Sequence, residues 1–508
     1  MKITRSICAL LAAAFLVAAA PAPKPSPTIA PAPYTPDAVT HHVVTVAGRR
    51  IAYTARAGTI VLHDPVTNDE TGRMFYVAYT KDGANPARRP VTFFYNGGPG
   101  SSTIWLHMGS FAPVRVHVTN GAPTGPAPYQ LLPNQYSLID VTDEVFIDAP
   151  NTGYSRVYGA GKPSDFMGVD QDGRAFTQFI ERYISRFGRW NSPKFLFGES
   201  YGTTRDCVLV NMLQQAGVEM SGVVLQSSIL NFNLGGLAGG NPVGGGDWGF
   251  VLYFPTEAAT AWYHHKAGAG ASLANFVRGA EQFASTTYLH DLAMGSNLAA
   301  GEFNADVARM HYYLGLSETY IRDSNLRVPY FRYLKELLRG DNTLIGRYDA
   351  RYETYSTDQL SNYPDWDPSD VGIDGAFVGA FHSYITGTLH YDSLIPYRPV
   401  SYGGLLGARW DFHHNGDDPP TNVAPDLADA MTQNPHLQVF SANGYFDFAT
   451  PFFATEYTLN HLGLAPPLQR NITFGFYQSG HMIYLNPNAL VAYRNDLVRW
   501  YDATLAGR

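Results

Sequence analysis

The sequence has 508 residues, 45% of them hydrophobic and only 15% charged, with a formal net charge of −8 at pH 7. A chain of that length and apolarity can bury a large core, which excludes disorder for the bulk of it. No long run of Lys or Arg offers phosphate a basic stripe, so no nucleic-acid partner is expected.

At the N-terminus, Lys2 and Arg5 precede the apolar stretch Ile7 to Ala20 and then small residues suited to cleavage, the pattern of a secretory signal. Residues 1–20 are read as a signal peptide, with the mature chain starting between Ala18 and Ala22. The stretch is too short for a comfortable membrane span, and no later segment reaches the roughly 18 consecutive apolar residues of a transmembrane helix. No stable membrane insertion is expected. Of the two cysteines, Cys8 leaves with the signal and Cys207 keeps no intramolecular partner, so no disulfide framework is possible. A large exported chain without disulfides suits a bacterial periplasm or culture medium better than a eukaryotic lumen.

Residues 21–40, Pro/Ala-rich from Pro23 to Pro36, are read as an extended linker. From His41 to Thr80, short alternating runs such as Val43–Val46 and Met74–Tyr79 predict antiparallel strands. From Val91 the runs become short and continuously apolar: Val91–Tyr95, Glu144–Asp148, Lys194–Phe197 and Val223–Leu225. Such runs fit strands buried on both faces of a parallel sheet. Between them Phe176, Phe179, Ile180, Tyr183, Ile184 and Phe187 recur at helical spacing, so strand, helix and strand alternate in the manner of an α/β sheet. Residues 231–397 begin with the Gly-rich Gly235 to Gly249 and continue with helical patterns at 255–266, 273–294 and 330–338; they are read as a mainly helical cap insertion. The Tyr312, Tyr313, Tyr320, Tyr330 and Tyr333 side chains there are assigned to core packing rather than to a substrate entrance. Strands return at 437–440 and 472–476, and an amphipathic helix closes the chain from Ala489 to Leu505. One α/β domain, residues 41–230 and 398–508, interrupted by a cap, accounts for this order.

Gly198-Glu199-Ser200-Tyr201-Gly202 is a G-x-S-x-G between an apolar strand and a predicted helix at 203–215. That context defines the nucleophile elbow of the α/β-hydrolase fold, where small glycines permit the sharp turn that presents the serine. A serine hydroxyl needs a base, and the base needs an orienting acid. In such folds acid and histidine follow the nucleophile in that order, each on a loop after a strand. Asp447 follows the strand at Val439 and His481 follows the strand at Phe474. The Gly-rich run Asn96 to Ser102, directly after the strand at 91–94, supplies a turn whose backbone N–H groups can hold an oxyanion.

Together, Asn96-Gly97-Gly98-Pro99-Gly100-Ser101-Ser102, Gly198-Glu199-Ser200-Tyr201 and Gly480-His481-Met482 resemble the serine carboxypeptidase family. A fourth segment, Asp148 to Ser155, is similar to the family's stretch between the oxyanion turn and the nucleophile. The resemblance implies that Ser200 is acylated, that His481 acts as base and then acid, that Asp447 orients it, and that the N–H groups of Gly98 and Tyr201 hold the oxyanion. It further implies that Asn96 and Glu199 bind the terminal carboxylate of peptide substrates with a free C-terminus. A substrate carboxylate beside an ionised Glu199 would be repelled, so Glu199 is expected to be protonated in the productive complex and binding to weaken as pH rises.

Tyr95 stands where the family usually has Trp, Ser101 where Cys is common, and Thr203-Thr204-Arg205 departs from the usual continuation. No cofactor is expected. The crowded Asp411, His413, His414, Asp417 and Asp418 are read as a solvated loop rather than a metal site, because no H-E-x-x-H is present and Asn415-Gly416 and Pro419-Pro420 mark a turn. The Gly244–Gly246 run lacks the Gly-Lys-Ser/Thr of a phosphate loop. An esterase or acyltransferase using the same three residues is the rival reading, and a non-catalytic binding module on the same scaffold is the remoter one.

Overall fold

Continuously buried apolar strands build the centre of the molecule. The computed structural model describes residues 34–234, 246–401 and 410–506; the signal stretch, the leader up to residue 33 and most of the Gly-rich run lie outside them. Strands β1 (Ala38–Val46), β2 (Arg49–His63) and β3 (Glu70–Lys81) pair antiparallel and open the sheet, β1 alternating between exposed and buried residues. Its start at Ala38 falls within the stretch read as linker. There follow β4 (Val91–Tyr95), β5 (Val114–Val116), β6 (Leu131–Pro133), β7 (Asp143–Ile147), β8 (Arg156–Val157), β9 (Lys194–Glu199) and β10 (Gly222–Gln226). Last come β11 (Thr343–Ile345), β12 (Glu353–Tyr355), β13 (Gln438–Gly444) and β14 (Ile472–Tyr477). The main sheet has the order β1-β2-β3-β7-β4-β9-β10-β13-β14, with β8 beside β3; β5 with β6 and β11 with β12 form two small ladders. From β7 to β14 its neighbours run parallel, and β4, β7, β9 and β10 are buried along their whole length. Helices on both faces require that continuous apolarity.

The helices before the long excursion are α1 (Ile104–Gly109), α2 (Val169–Arg186) and α3 (Tyr201–Gln215). Between β10 and β13 lie α4 (Trp248–Tyr263), α5 (Leu273–Phe283), α6 (Leu289–Met294), α7 (Ala300–Leu314), α8 (Glu318–Asp323), α9 (Tyr330–Glu336), α10 (Pro368–Val371), α11 (Asp374–Gly387) and α12 (Ala424–Gln433). The chain ends with α13 (Phe452–Asn460), α14 (Pro466–Gln469) and α15 (Pro487–Ala506). One sheet face packs Phe94, Phe197 and Phe440 against Trp105, Phe377 and Trp500, from α1, α11 and α15. The other packs Phe93, Leu196 and Val223 against Phe176, Leu213 and Leu427, from α2, α3 and α12. Helices α4 to α9 keep a core of their own around Phe254, Phe276 and Met310, which touches Phe446 and Phe448 after β13. Packing therefore changes sides well before residue 397, since Phe377, Phe381 and Tyr384 of α11 belong under the sheet.

Two local outcomes differ from the sequence pattern. Helix α4 starts at Trp248 and runs through Pro255, which the pattern placed at a helix start; Phe250, Val251, Leu252 and Phe254 are all buried, and their burial outweighs the lost backbone bond. Tyr330 and Tyr333 are core residues as read, whereas Tyr312 is 57% exposed.

The 410–418 segment is only partly a solvated loop. His413, Asp417 and Asp418 are exposed, but His414 is 5% exposed and clamped between Asp170 (Nδ1 to Oδ1, 2.6 Å) and Asp426 (Nε2 to Oδ2, 2.7 Å). The clamp ties the start of α2 and the start of α12 to this loop. Burial by itself lowers the His414 pKa, but the hydrogen bonds and charges of Asp426 and Asp170 outweigh it and lift the value from 6.5 to about 8. Its stabilisation, on the order of 1 kcal/mol after allowance for solvent screening, is complete below pH 6.5 and lost as pH rises through about 8. His414→Gln should therefore lower the thermal midpoint by about 1 °C near pH 6. Scanning calorimetry should find that deficit shrinking toward zero near pH 9.

Candidate active site

Ser200 sits between the end of β9 and the first residue of α3 with φ 63° and ψ −129°, a conformation that strains any residue but glycine. A side chain at Gly198 would run into the Gly202 carbonyl and the Asp206 carboxylate, and one at Gly202 would press on the Tyr95 carbonyl. The two glycines of the motif thus let strand and helix approach closely enough to hold the turn. The Ser200 N–H donates to the Gln226 carbonyl at 3.0 Å, which fixes the elbow to the end of β10.

Asp447 arrives on the loop after β13 and His481 on the loop after β14. His481 Nδ1 and Asp447 Oδ2 lie 2.8 Å apart, both side chains being almost fully buried. Asp447 Oδ1 also accepts from the N–H groups of Ala449 (2.8 Å) and Thr450 (3.0 Å), and Oδ2 from the Thr450 hydroxyl (2.6 Å). The histidine backbone is pinned on both sides: its N–H donates to the Tyr348 carbonyl (2.6 Å), and its carbonyl accepts from the Ser227 hydroxyl (2.7 Å). Burial alone would lower the His481 pKa, but the Asp447 carboxylate, and less so Glu199, hold it above the ordinary value. Nε2 has no protein partner among the described residues, and Ser200 and His481 line one cavity of about 340 Å³ without being hydrogen-bonded to each other. Such bonds are often open in an unliganded enzyme.

The Gly-rich turn closes on the elbow from the other side. A Cβ at Gly97 would collide with the backbone N–H groups of Tyr201 and Gly202, and Gly98 takes φ 113°. No acceptor among the described residues takes the N–H of Gly98 or of Tyr201, which leaves both free for a ligand. Asn96 Oδ1 accepts from the Leu106 N–H (2.9 Å), an orientation that aims Nδ2 at Glu199 Oε1 (2.5 Å). Gln226 Nε2 donates to the other oxygen at 2.6 Å, and the buried Tyr484 hydroxyl approaches Glu199 without completing a hydrogen bond. Burial is the main reason that Glu199 titrates up at about 7; Asp447 adds to the rise, while His481 and the donors around it oppose it. Sequence reasoning missed Gln226 and Tyr484. The first was findable, since a lone Gln ends the apolar run Val223–Leu225 and the parallel register sets it directly beside Glu199.

The structure thus gathers Asn96, Gly98, Glu199, Ser200 and His481 at one cavity, with Asp447 behind the histidine and the Tyr201 N–H beside the serine. Supporting groups fix the walls. Asp148 Oδ1 accepts from the Thr103 N–H at 2.9 Å, so the Asp148–Ser155 segment braces the Gly-rich turn. Arg205, 1% exposed, pairs with Asp172 at 2.6 Å, donates to the Asn96 carbonyl at 2.8 Å, and lies among the rings of Tyr95, Phe176 and Tyr201. Tyr95, in turn, donates its hydroxyl to Asp206. The unusual Arg205 is thus a strut beneath the elbow. Cys207 is buried as a free thiol, and no group of three or more His, Cys, Asp or Glu among the described residues is arranged to hold a metal.

A strained serine on a strand-to-helix elbow, with acid and histidine after the last two strands of a mostly parallel sheet, places the protein in the α/β-hydrolase class. Comparison with known proteins narrows the class: a model of the serine carboxypeptidase family matches residues 57–361, and the chain belongs to that family. The p-(S)-hydroxymandelonitrile lyase of Sorghum bicolor is 32% identical over 136 residues, 26% of this chain and 25% of its own length. Serine carboxypeptidase-like 5 of Arabidopsis thaliana is 29% identical over 185 residues, 35% of this chain and 38% of its own. The chain thus spans between a quarter and two fifths of the length of these relatives. Serine carboxypeptidase 24 of the same plant aligns more widely, at 22% identity over 78% of this chain and 75% of its own. Among solved structures, the prohormone-processing carboxypeptidase Kex1Δp of Saccharomyces cerevisiae shares the fold, with a TM-score of 0.54, 16% identity, and coverage of 89% of this chain and 91% of that one.

The strut can be tested apart from catalysis. Arg205→Leu leaves Asp172 buried without its cation and should cost about 3–5 kcal/mol in denaturant unfolding, much of which Arg205→Leu with Asp172→Leu should recover.

Proposed function

We propose that the protein is an exported serine carboxypeptidase that removes C-terminal amino acids from peptides through an acyl-enzyme on Ser200. One observation carries the reading: a buried carboxyl that titrates at about 7, Glu199, is held by Asn96 and Gln226 in the cavity that also holds the serine and the histidine. A neutral carboxyl there can share its proton with a substrate's terminal carboxylate, whereas an ionised one would repel it.

Ser200 Oγ bonds to the scissile carbonyl carbon as its proton passes to His481 Nε2, and the oxyanion lies between the N–H groups of Gly98 and Tyr201. The C–N bond then breaks, the same proton goes to the departing amine, and the terminal amino acid leaves. Water attacks the ester carbonyl and gives a proton to His481, which returns it to Ser200 Oγ as the C–O bond breaks and the shortened peptide leaves. Asp447 Oδ2, 2.8 Å from Nδ1, holds the imidazole in orientation throughout.

Release of the terminal residue from a blocked dipeptide, followed from about pH 5 to about 9, tests this. Ser200→Ala should lose activity by about 10⁴-fold or more. The wild-type KM should climb toward tenfold per pH unit above about 7, where Glu199 loses its proton, and Glu199→Gln should flatten that climb. Ester turnover that needs Ser200, with no release from any peptide acid, would assign the trio to an esterase or acyltransferase instead. Export rests on the Lys2 to Ala20 pattern. N-terminal sequencing of secreted protein should begin between Ala18 and Ala22, and a retained Met1 would overturn it.

A further inference from the structure

The hydrolytic steps leave one wall of the cavity unexplained. Asp370 of α10 and Asp374, the first residue of α11, line it together with Glu199, Ser200 and His481. Their neighbour Asp367 is structural, since its oxygens accept from the N–H groups of Arg347 (3.2 Å), Tyr348 (3.1 Å) and Ser369 (2.9 Å). Asp370 and Asp374 have no such role. Neither side chain accepts a hydrogen bond or enters an ion pair among the described residues, and Asp374 Oδ1 is buried without a partner. Arg347 is near enough to favour the charge on Asp370 but does not pair with it, and no cation offsets Asp374. Burial first, and then the repulsion among the three acids, lifts Asp370 to about 6 and Asp374 to about 7. Two carboxyls crowded together with no ion-pair or hydrogen-bond partner among the described residues weaken the fold, as groups kept for a ligand do.

The cavity itself says which ligand. His481, 2% exposed, presents an unpartnered Nε2 to it, so a substrate must enter. About 340 Å³ suits one side chain and its carboxylate rather than a length of peptide. With the terminal carboxylate at Asn96 and Glu199, the side chain beside it is that of the residue to be released. Trp105 and Met482 offer that side chain apolar surface, and Asp370 and Asp374 offer negative charge. A methylene stem ending in a cation matches both features.

We infer that this cavity selects a C-terminal lysine or arginine, with Asp374 and Asp370 as the counter-charges of its side chain. The inference rests on the carboxypeptidase reading and adds the substrate class to it.

The test is the ratio of kcat/KM for two blocked dipeptides that differ only in a C-terminal lysine or norleucine, near neutral pH. A charge-assisted contact corresponds to a preference of about 10–100-fold for lysine in the wild type. Asp370→Asn with Asp374→Asn should bring the ratio to about one, and Asp374→Glu should keep most of it. Because both substrates meet the same enzyme, partial misfolding cancels from the ratio. A wild-type ratio of about one or less, or a ratio that survives the double substitution, overturns the inference. If neither dipeptide is cleaved, the carboxypeptidase reading fails separately. The ratio of dissociation constants measured by calorimetry on Ser200→Ala then decides the selectivity by the same criteria.

Discussion

The left-handed backbone of Ser200 is the constraint from which the rest of the centre follows, because a non-glycine residue stays there only when its surroundings leave no alternative. Those surroundings come from four places in the chain: the glycines at 198 and 202, the Gly97 backbone against the first turn of α3, the Gln226 carbonyl at the end of β10, and Arg205 beneath. The same close approaches that force the turn also set the free N–H groups of Gly98 and Tyr201 beside the serine. The strain and the two free N–H groups are therefore one piece of architecture, and Arg205 links them by holding the Asn96 carbonyl.

Around this elbow the buried acids have different fates, each decided by its partners. Asp172 faces a guanidinium, and Asp447 faces an imidazole together with three hydrogen-bond donors. Glu199 is hydrogen-bonded by two neutral amides, and these together with His481 offset too little of the desolvation to keep its pKa in the usual carboxylate range. A single cleft can thus seat one carboxyl against a histidine and leave another ready to carry a proton. The difference arises from the groups alongside, since both acids are almost entirely out of solvent.

The sheet was legible because burial on both faces leaves an unmistakable apolar run, so the strands at 91–95, 194–199 and 472–477 stand within two residues of their sequence expectation. The serine, acid and histidine were nameable because each sits on a loop whose place is dictated by the strand before it. Side chains that act across the fold were hidden. Gln226 is the last residue of an otherwise ordinary apolar strand, Tyr484 is one of many tyrosines, and His414 differs from the exposed His413 only because α2 and α12 bring Asp170 and Asp426 to its two nitrogens. The long α4 was hidden for the opposite reason: Pro255 and Gly249 argue against a helix locally, and burial of its neighbours overrules them. Asp370 and Asp374 look like surface acids in the sequence, and only the folding of α10 and α11 toward the serine gives them a role.

The order of the strands has a further consequence for how the molecule comes into being. β10 ends at Gln226, yet its parallel neighbour β13 begins only at Gln438. Until the intervening residues have been made, the edge of β10 that β13 covers has no partner. An uncovered edge of that kind invites pairing with other chains. The helices α4 to α9, with an apolar core of their own, can gather before the edge is closed, so the excursion need not be idle length during synthesis. The Ser200 elbow comes early in the chain, whereas Asp447 and His481 reach it only when the last two strands dock. A half-made chain therefore holds the serine segment without the histidine and aspartate that the finished fold brings beside it.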